Sequence, residues 1–338
     1  MLRSQGHTVA SSRLVSFLVS CFLGFLRLRQ PSATLRGLLC ALVPADGRQD
    51  TVARGADDEL RVRYRPSKNH SAVSSAPRPL HDPRSAHVFS FSTSVDEPTH
   101  QALLALLSPD ERERARRFVH ARDARRFAAG RGRLRQILGQ YLGRPPREVR
   151  IGYGAHGKPR LLERDPGLEF NASASGELAL VAVRHQGPVG VDVERVRPGI
   201  DAGSMVRRFF TAEEARRWDE LPRDERVPAF FSLWTCKEAL LKATGRGLAL
   251  RLDAVEIALG PGSAALARIA GPRADAARWS LWTWRPAAGY AAALCVEGEL
   301  HAVEHRDLGG LSGVRAPALH LAPCRPDAAT RASPRRGP

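Results

Sequence analysis

The chain has 338 residues, 43% of them hydrophobic and 26% charged, with a formal net charge of +17. That length suits about two domains and can bury a sizeable core. The charge is uneven: residues 1–86 hold 13 basic and 6 acidic side chains, residues 309–338 hold 5 and 1, and the middle holds 34 and 28. The mildly basic middle fits phosphates or an acidic protein surface and does not demand nucleic acid. Five scattered cysteines form no CxxC pair and no disulfide framework, which points to a reducing, cytoplasmic setting.

Residues 14–26 form an apolar run behind Arg3 and Arg13. It is too short to span a bilayer, and no small-x-small cleavage site follows it. Residues 44–84 are rich in Arg, Ser, Pro and Asp and can bury little. Residues 1–86 therefore read as a basic, disordered extension and residues 306–338 as a disordered tail. Between them, Phe89 and Phe91 alternate as in a strand over 87–93. Ser108-Pro109-Asp110-Glu111 predicts a helix start. A second helix is predicted over 121–142, with Phe127, Leu134, Ile137, Leu138 and Tyr141 near helical spacing and Gly143 and Pro145 ending it. Strands are predicted over 178–183 and 189–193, helical pieces over 204–210 and 212–220, and a strong helix over 228–243 ended by Gly245. Further strands follow over 255–259, 279–284 and 290–296.

Two bland alternatives weigh against nucleic acid. The arginines of 112–135 suit an RNA-binding helix, but they interleave with Phe118, Phe127 and Leu134, as on the solvated faces of core helices. Trp282 and Trp284 share a strand face and read as core before they read as a platform for bases. The histidines form no HxxxH or HExxH pair, so no zinc is expected.

Only four of the 52 cationic residues are lysines, and three of these fall in two short segments: Lys158, then Lys237 and Lys242. Arginine offers a planar fork, whereas lysine offers a compact charge that meets one phosphate oxygen. Gly190-Val191-Asp192-Val193-Glu194 alternates apolar and acidic residues, so Asp192 and Glu194 face the same way in a strand. Such a pair is either a solvated edge neutralised by Arg195 and Arg197, or a hard-oxygen site for Mg²⁺. On a helical wheel Glu238 falls about 40° from Trp234, inside or beside the apolar stripe, with Lys242 beyond it and Lys237 on the other side. A carboxylate there needs a partner. It is either a plain Glu238–Lys242 pair or the third member of a magnesium site with Asp192 and Glu194, lysines flanking it to meet a pyrophosphate.

These residues resemble the 4′-phosphopantetheinyl transferases of the surfactin-synthetase-activating type. Three patterns carry the resemblance: Gly157-Lys158-Pro159-Arg160-Leu161 with Phe170-Asn171-Ala172-Ser173-Ala174-Ser175-Gly176; Gly190 to Glu194; and Phe231-Ser232-Leu233-Trp234-Thr235-Cys236-Lys237-Glu238-Ala239-Leu240-Leu241-Lys242 with Gly245 and Gly247-Leu248. The resemblance implies an α+β fold of two similar α/β halves about a pseudo-twofold axis, with 87–186 the N-terminal half and 187–305 the half bearing the metal. It implies transfer of phosphopantetheine from coenzyme A to a serine of an acidic apo carrier protein by a monomer, with no nucleic-acid or membrane partner. Asp192, Glu194 and Glu238 would hold Mg²⁺. Glu238, Lys242 and Lys237 would be catalytic, and both lysines would contact the phosphates. Arg114, Arg126, Lys158 and Ser173 match positions that grip the nucleotide end. Glu214 aligns with a further family carboxylate, with Glu213 beside it leaving the register open. Two positions depart from the pattern. Ala174 stands where a histidine is expected on the 3′-phosphate of coenzyme A, and Glu111 stands where a cation is usual. Arg184, His185 or an arginine from 112–126 is the expected substitute for that histidine.

Overall fold

The computed structural model describes residues 84–310, apart from 155–156, 163–166, 246–250, 261–262 and 270–275. The expected extension up to residue 83, the tail beyond 310 and the Gly247-Leu248 end of the third pattern lie outside the described residues. The fold is α+β.

The first sheet runs in the order β11-β1-β5-β4, from Ala302–Asp307, Ser85–Ser92, Leu178–His185 and Leu168–Ser175. Three helices follow β1: α1 (Glu97–Leu104), α2 (Pro109–Arg116) and α3 (Ala121–Leu142). The expected start of α2 is a reciprocal cap, in which Glu111 N–H donates to Ser108 Oγ and Ser108 N–H to Glu111 Oε2. Gly143, in the left-handed region at φ 59°, ends α3. The α3 stripe of Leu134, Ile137 and Leu138 buries against Phe89, Phe91, Phe170, Val181 and Val183 of the sheet. A short hairpin of β2 (Ile151–Tyr153) and β3 (Pro159–Leu161) packs on the same core through Ile151 and Leu161.

The second sheet runs β6-β10-β9, from Val189–Arg195, Tyr290–Glu297 and Trp279–Trp284. Trp282 and Trp284 are core residues here, as their shared strand face predicts. The helices α4 (Ala202–Phe209), α5 (Ala212–Asp219) and α6 (Arg223–Thr244) come between β6 and a hairpin of β7 (Val255–Gly260) and β8 (Ser263–Ile269). The helix expected from Pro228 begins five residues earlier. Pro228 is the sixth residue of α6 and has no N–H to donate to the carbonyl four residues back. α6 lies directly on β6. A Cβ at Gly190 would stand 2.0 Å from Ala239 O and 2.5 Å from Ala243 N, so only glycine permits this contact.

Two features join the sheets. Alternate side chains of β4 serve the backbone of β6: Val191 N–H donates to Asn171 Oδ1 at 2.9 Å, Val193 N–H to Ser173 Oγ at 3.3 Å and Arg195 N–H to Ser175 Oγ at 3.1 Å. Small polar residues at every second position thus stand in for a backbone ladder. The other feature is the last strand. β11 pairs in parallel with β1, and Leu308 N–H and Ser92 N–H continue the bonding to Ser90 O and Gly309 O. This last strand of the described chain completes the first sheet. Among the described residues no helix is long and apolar enough to cross a membrane.

Candidate active site

Asp192 and Glu194 project from the same side of β6, and both are buried. Glu238 and Lys242 face them from α6, one helical turn apart. Glu238 is 4% exposed, as its place beside the apolar stripe predicts. Lys242 Nζ donates to Asp192 Oδ1 at 2.5 Å and to Ser173 Oγ at 3.0 Å. Ser173 Oγ donates to the same Asp192 oxygen at 2.7 Å, and Ser175 Oγ donates to Glu194 Oε2 at 2.7 Å. The other oxygen of Asp192 and Oε1 of Glu238 are buried and accept no hydrogen bond from any described residue. Buried carboxylate oxygens without donors are costly, which marks this as a place for something cationic.

The electrostatics agree. Burial, then the charges of Asp192 and Glu194, raise the Glu238 carboxyl to about 8. Burial also raises Asp192, against the pull of Lys242. Burial lowers the Lys242 ammonium, but Asp192 and Glu238 outweigh it and the net shift is upward. The expected three-carboxylate cage is not closed. Among the described residues no three His, Cys, Asp or Glu side chains stand together as a metal group. Lys242 holds one oxygen of Asp192, and Ser175 holds one of Glu194. The donor set nevertheless fits Mg²⁺: all oxygen, two donorless atoms, and a charge balance that one cation improves.

Three of the expected ligand contacts are placed elsewhere. Lys237 is fully buried on the far side of α6 from Lys242. Its ammonium pairs with Glu214 at 2.8 Å and donates to Leu252 O and Val255 O, which leaves no path to a phosphate. Glu214 also caps α5 through Thr211 and accepts from Ile257 N–H. Glu213 is half-buried and pairs with Arg216 and Arg217. Of the two, Glu214 is the one built into the interior. Ser173 is the second correction. Its hydroxyl donates to Asp192 and accepts from Val193 N–H and Lys242, which uses its full hydrogen-bonding capacity. Its hydroxyl orients Asp192. Lys158 is the third, with two of its three donors spent on Val189 O and Ala243 O. The second of these carbonyls lies in the last turn of α6, so Lys158 caps the helix end. Arg126 pairs with Glu177 at 3.4 Å across the turn after β4.

Arg114 lies in a different cluster. Its guanidinium sits 5.0 Å over the Phe127 ring, beside Tyr153 and Arg131. Glu111, where a cation is usual, is buried and pairs with Arg131 at 3.3 Å and Arg135 at 2.6 Å. The arginines of α3 are therefore not all solvated. Arg131 is the member that plain periodicity marks: with Phe127, Leu134 and Leu138 it falls at i, i+4, i+7 and i+11, in the middle of the apolar stripe. The expected substitutes Arg184 and His185 do not join this cluster. Arg184 donates to Glu297 O at 2.7 Å, at the other end of β5.

Comparison with known proteins places the chain in a family. The 4′-phosphopantetheinyl transferase superfamily profile matches residues 188–295, and the profile for the N-terminal part of such transferases matches residues 94–186. The chain is 42% identical to the 4′-phosphopantetheinyl transferase HetI of Nostoc sp., over 63% of this chain and 87% of that protein. It is 30% identical to the transferase Sfp of Bacillus subtilis, over 49% of this chain and 72% of that protein. It is also 34% identical to the human L-aminoadipate-semialdehyde dehydrogenase-phosphopantetheinyl transferase, over 47% of this chain and 55% of that protein. The chain belongs to the 4′-phosphopantetheinyl transferase family, and its enzyme class is that of phosphopantetheinyl transfer.

Proposed function

We propose that this chain moves 4′-phosphopantetheine from coenzyme A to a serine hydroxyl of an apo carrier protein and releases adenosine 3′,5′-bisphosphate. The likeness to Sfp supports the surfactin-synthetase-activating type. The observation that carries the reading is the pair of donorless oxygens on Asp192 and Glu238, with the Lys242 ammonium beside them. Asp192 and Glu238, with Glu194 once it leaves Ser175, would hold Mg²⁺, which when bound supplies charge neutralisation at a diphosphate. Ser173 fixes the rotation of Asp192. Lys242, 22% exposed at its side chain against 3% for Asp192, is the group able to turn outward to the departing phosphate. Glu238 has one oxygen for the ion and one for the proton of the carrier serine. Lys237 and Glu214 lock the opposite face of α6 and so fix where Glu238 points. The carrier is taken to be acidic, meeting the basic excess, and the enzyme to act as a cytoplasmic monomer.

Incubation with an apo carrier, coenzyme A and Mg²⁺, read by intact mass, tests the reading. A gain of one phosphopantetheine group on the carrier serine is expected. No gain at any coenzyme A concentration overturns it.

A further inference from the structure

Lys242 is seated inside the acid cluster. Its ammonium has three protons, and each has a partner: Asp192 Oδ1 at 2.5 Å, Ser173 Oγ at 3.0 Å and Val191 O at 3.4 Å. The side chain reaches across to β6. Among the described residues it makes no ion pair with Glu238, the acid one turn away on its own helix. It offsets the charge of the buried acids without filling their site, because Asp192 Oδ2 and Glu238 Oε1 still accept no hydrogen bond from any described residue. An ammonium so placed is an internal counter-ion.

The backbone beside the acids is in close contact. Gly190 brings β6 against α6 at Ala239 and Ala243, the residues that directly follow Glu238 and Lys242. Room for a second cation therefore comes from a side chain that moves, and Lys242 is that side chain. It is a charge on a flexible four-carbon stem, 22% exposed at its side chain where Asp192 is 3% exposed. An ammonium and a divalent cation on one buried carboxylate repel each other at short range. Once unseated, the ammonium needs new acceptors for its three protons, and phosphate oxygens supply them.

We propose that Lys242 is a built-in competitor for the metal, displaced when a divalent cation takes the acids and the diphosphate of the donor takes the ammonium. The assignment rests on the reading of the chain as a Mg²⁺-dependent transferase with a diphosphate donor. It makes cation and donor binding positively coupled, because each removes part of the cost of the other. In the absence of both, the lysine keeps the acids occupied.

The test measures binding, with no carrier present and no turnover. Mg²⁺ alone is titrated calorimetrically into metal-free wild type and Lys242→Met, and coenzyme A is then titrated with and without Mg²⁺. Lys242→Met is expected to bind Mg²⁺ alone about tenfold more tightly than wild type, a usual size for coupling between two sites. The factor by which Mg²⁺ tightens coenzyme A binding is expected to be about tenfold smaller in Lys242→Met than in wild type. Free coenzyme A chelates Mg²⁺ equally in both titrations, so the difference belongs to Lys242. Lys242→Gln, neutral but still able to donate to Asp192, takes the place of Lys242→Met if the latter does not fold. Mg²⁺ bound no more tightly by the variant than by wild type, or an equal coupling factor in the two, overturns the competition and leaves the transferase reading standing. No Mg²⁺ binding by either protein, with or without coenzyme A, overturns the metal site and the competition together.

Discussion

The two long helices share a plan and differ in what they bury. α3 and α6 are each 22 residues, α3 lies on the mixed first sheet and α6 on the antiparallel second, and each ends on a glycine in the left-handed region, Gly143 at φ 59° and Gly245 at φ 67°. Each also brings its ion-bearing residues into the interior. α3 buries Arg131 and Arg135 against a single acid supplied by α2. α6 buries Glu238 opposite two acids of β6, with Lys242 alone among them. One scaffold thus holds an excess of positive charge in the first half and an excess of negative charge in the second.

The widest break in the comparison is expected at Glu238. Glu238→Gln keeps the volume and removes the charge. It is expected to lower kcat/KM about a thousandfold, roughly 4 kcal/mol, while the thermal midpoint of the metal-free protein holds or rises. A parallel fall in both would make Glu238 a structural residue.

Next in size is the pair on the other side of α6. Lys237→Met leaves Glu214 charged and buried, and is expected to cost about 3 kcal/mol of stability in denaturant unfolding. The double change Lys237→Met with Glu214→Gln should cost less than the single one, because no buried charge is left alone. Turnover of the folded fraction is expected to change far less than in Glu238→Gln. A thousandfold loss of turnover without loss of stability would return Lys237 to the phosphates.

The close contacts provide a third comparison. Gly190→Ala meets backbone atoms of α6 at 2.0 and 2.5 Å, and Gly132→Ala meets Leu103 at 2.8 Å. Both are overpacking changes, with about 3 kcal/mol expected for the first and about 1 kcal/mol for the second. The reverse order would show that β6 can move away from α6.

The smallest effect is a pH dependence of the first sheet. His87, on β1, is hydrogen-bonded to Tyr141 of α3 at 2.5 Å and pairs with Glu304 of β11 at 3.1 Å, with Arg306 of β11 nearby. Burial lowers its pKa below the usual 6.5, with Glu304 opposing and Arg306 assisting. A base whose folded pKa is depressed contributes stability that is present above the unfolded value and is lost as pH falls toward the folded one. The thermal midpoint is therefore expected to fall by about 2–4 °C on acidification below about pH 6.5, and His87→Gln should flatten that slope. An unchanged slope would remove His87 from the account.

Much of this was legible in the chain because it depends on short spacings. The i, i+2 acids of β6, the wheel position of Glu238 and the caps at Ser108 and Gly143 are local, and they stand where spacing puts them. The fate of Lys237 was not legible. Its partners Glu214, Leu252 and Val255 come together only in the fold, and the wheel places it no farther from the core than Lys242. β4 was hidden because its alternate positions are Asn171, Ser173 and Ser175, small polar residues chosen for the junction with β6 and poor as a strand signal. β11 was hidden for a related reason: its pattern is polar, and its pairing partner lies at the other end of the described chain. Arg131 gave a signal in the apolar stripe, but a run of arginines masked it.

The buried acids between β6 and α6 are proposed to hold a divalent cation. Calorimetric titration of Mg²⁺ into the metal-free wild type, Lys237→Met and Glu238→Gln proteins tests it without any substrate. One bound ion in the first two and none in the third is the outcome this account requires, and binding by Glu238→Gln as tight as that of wild type would contradict it.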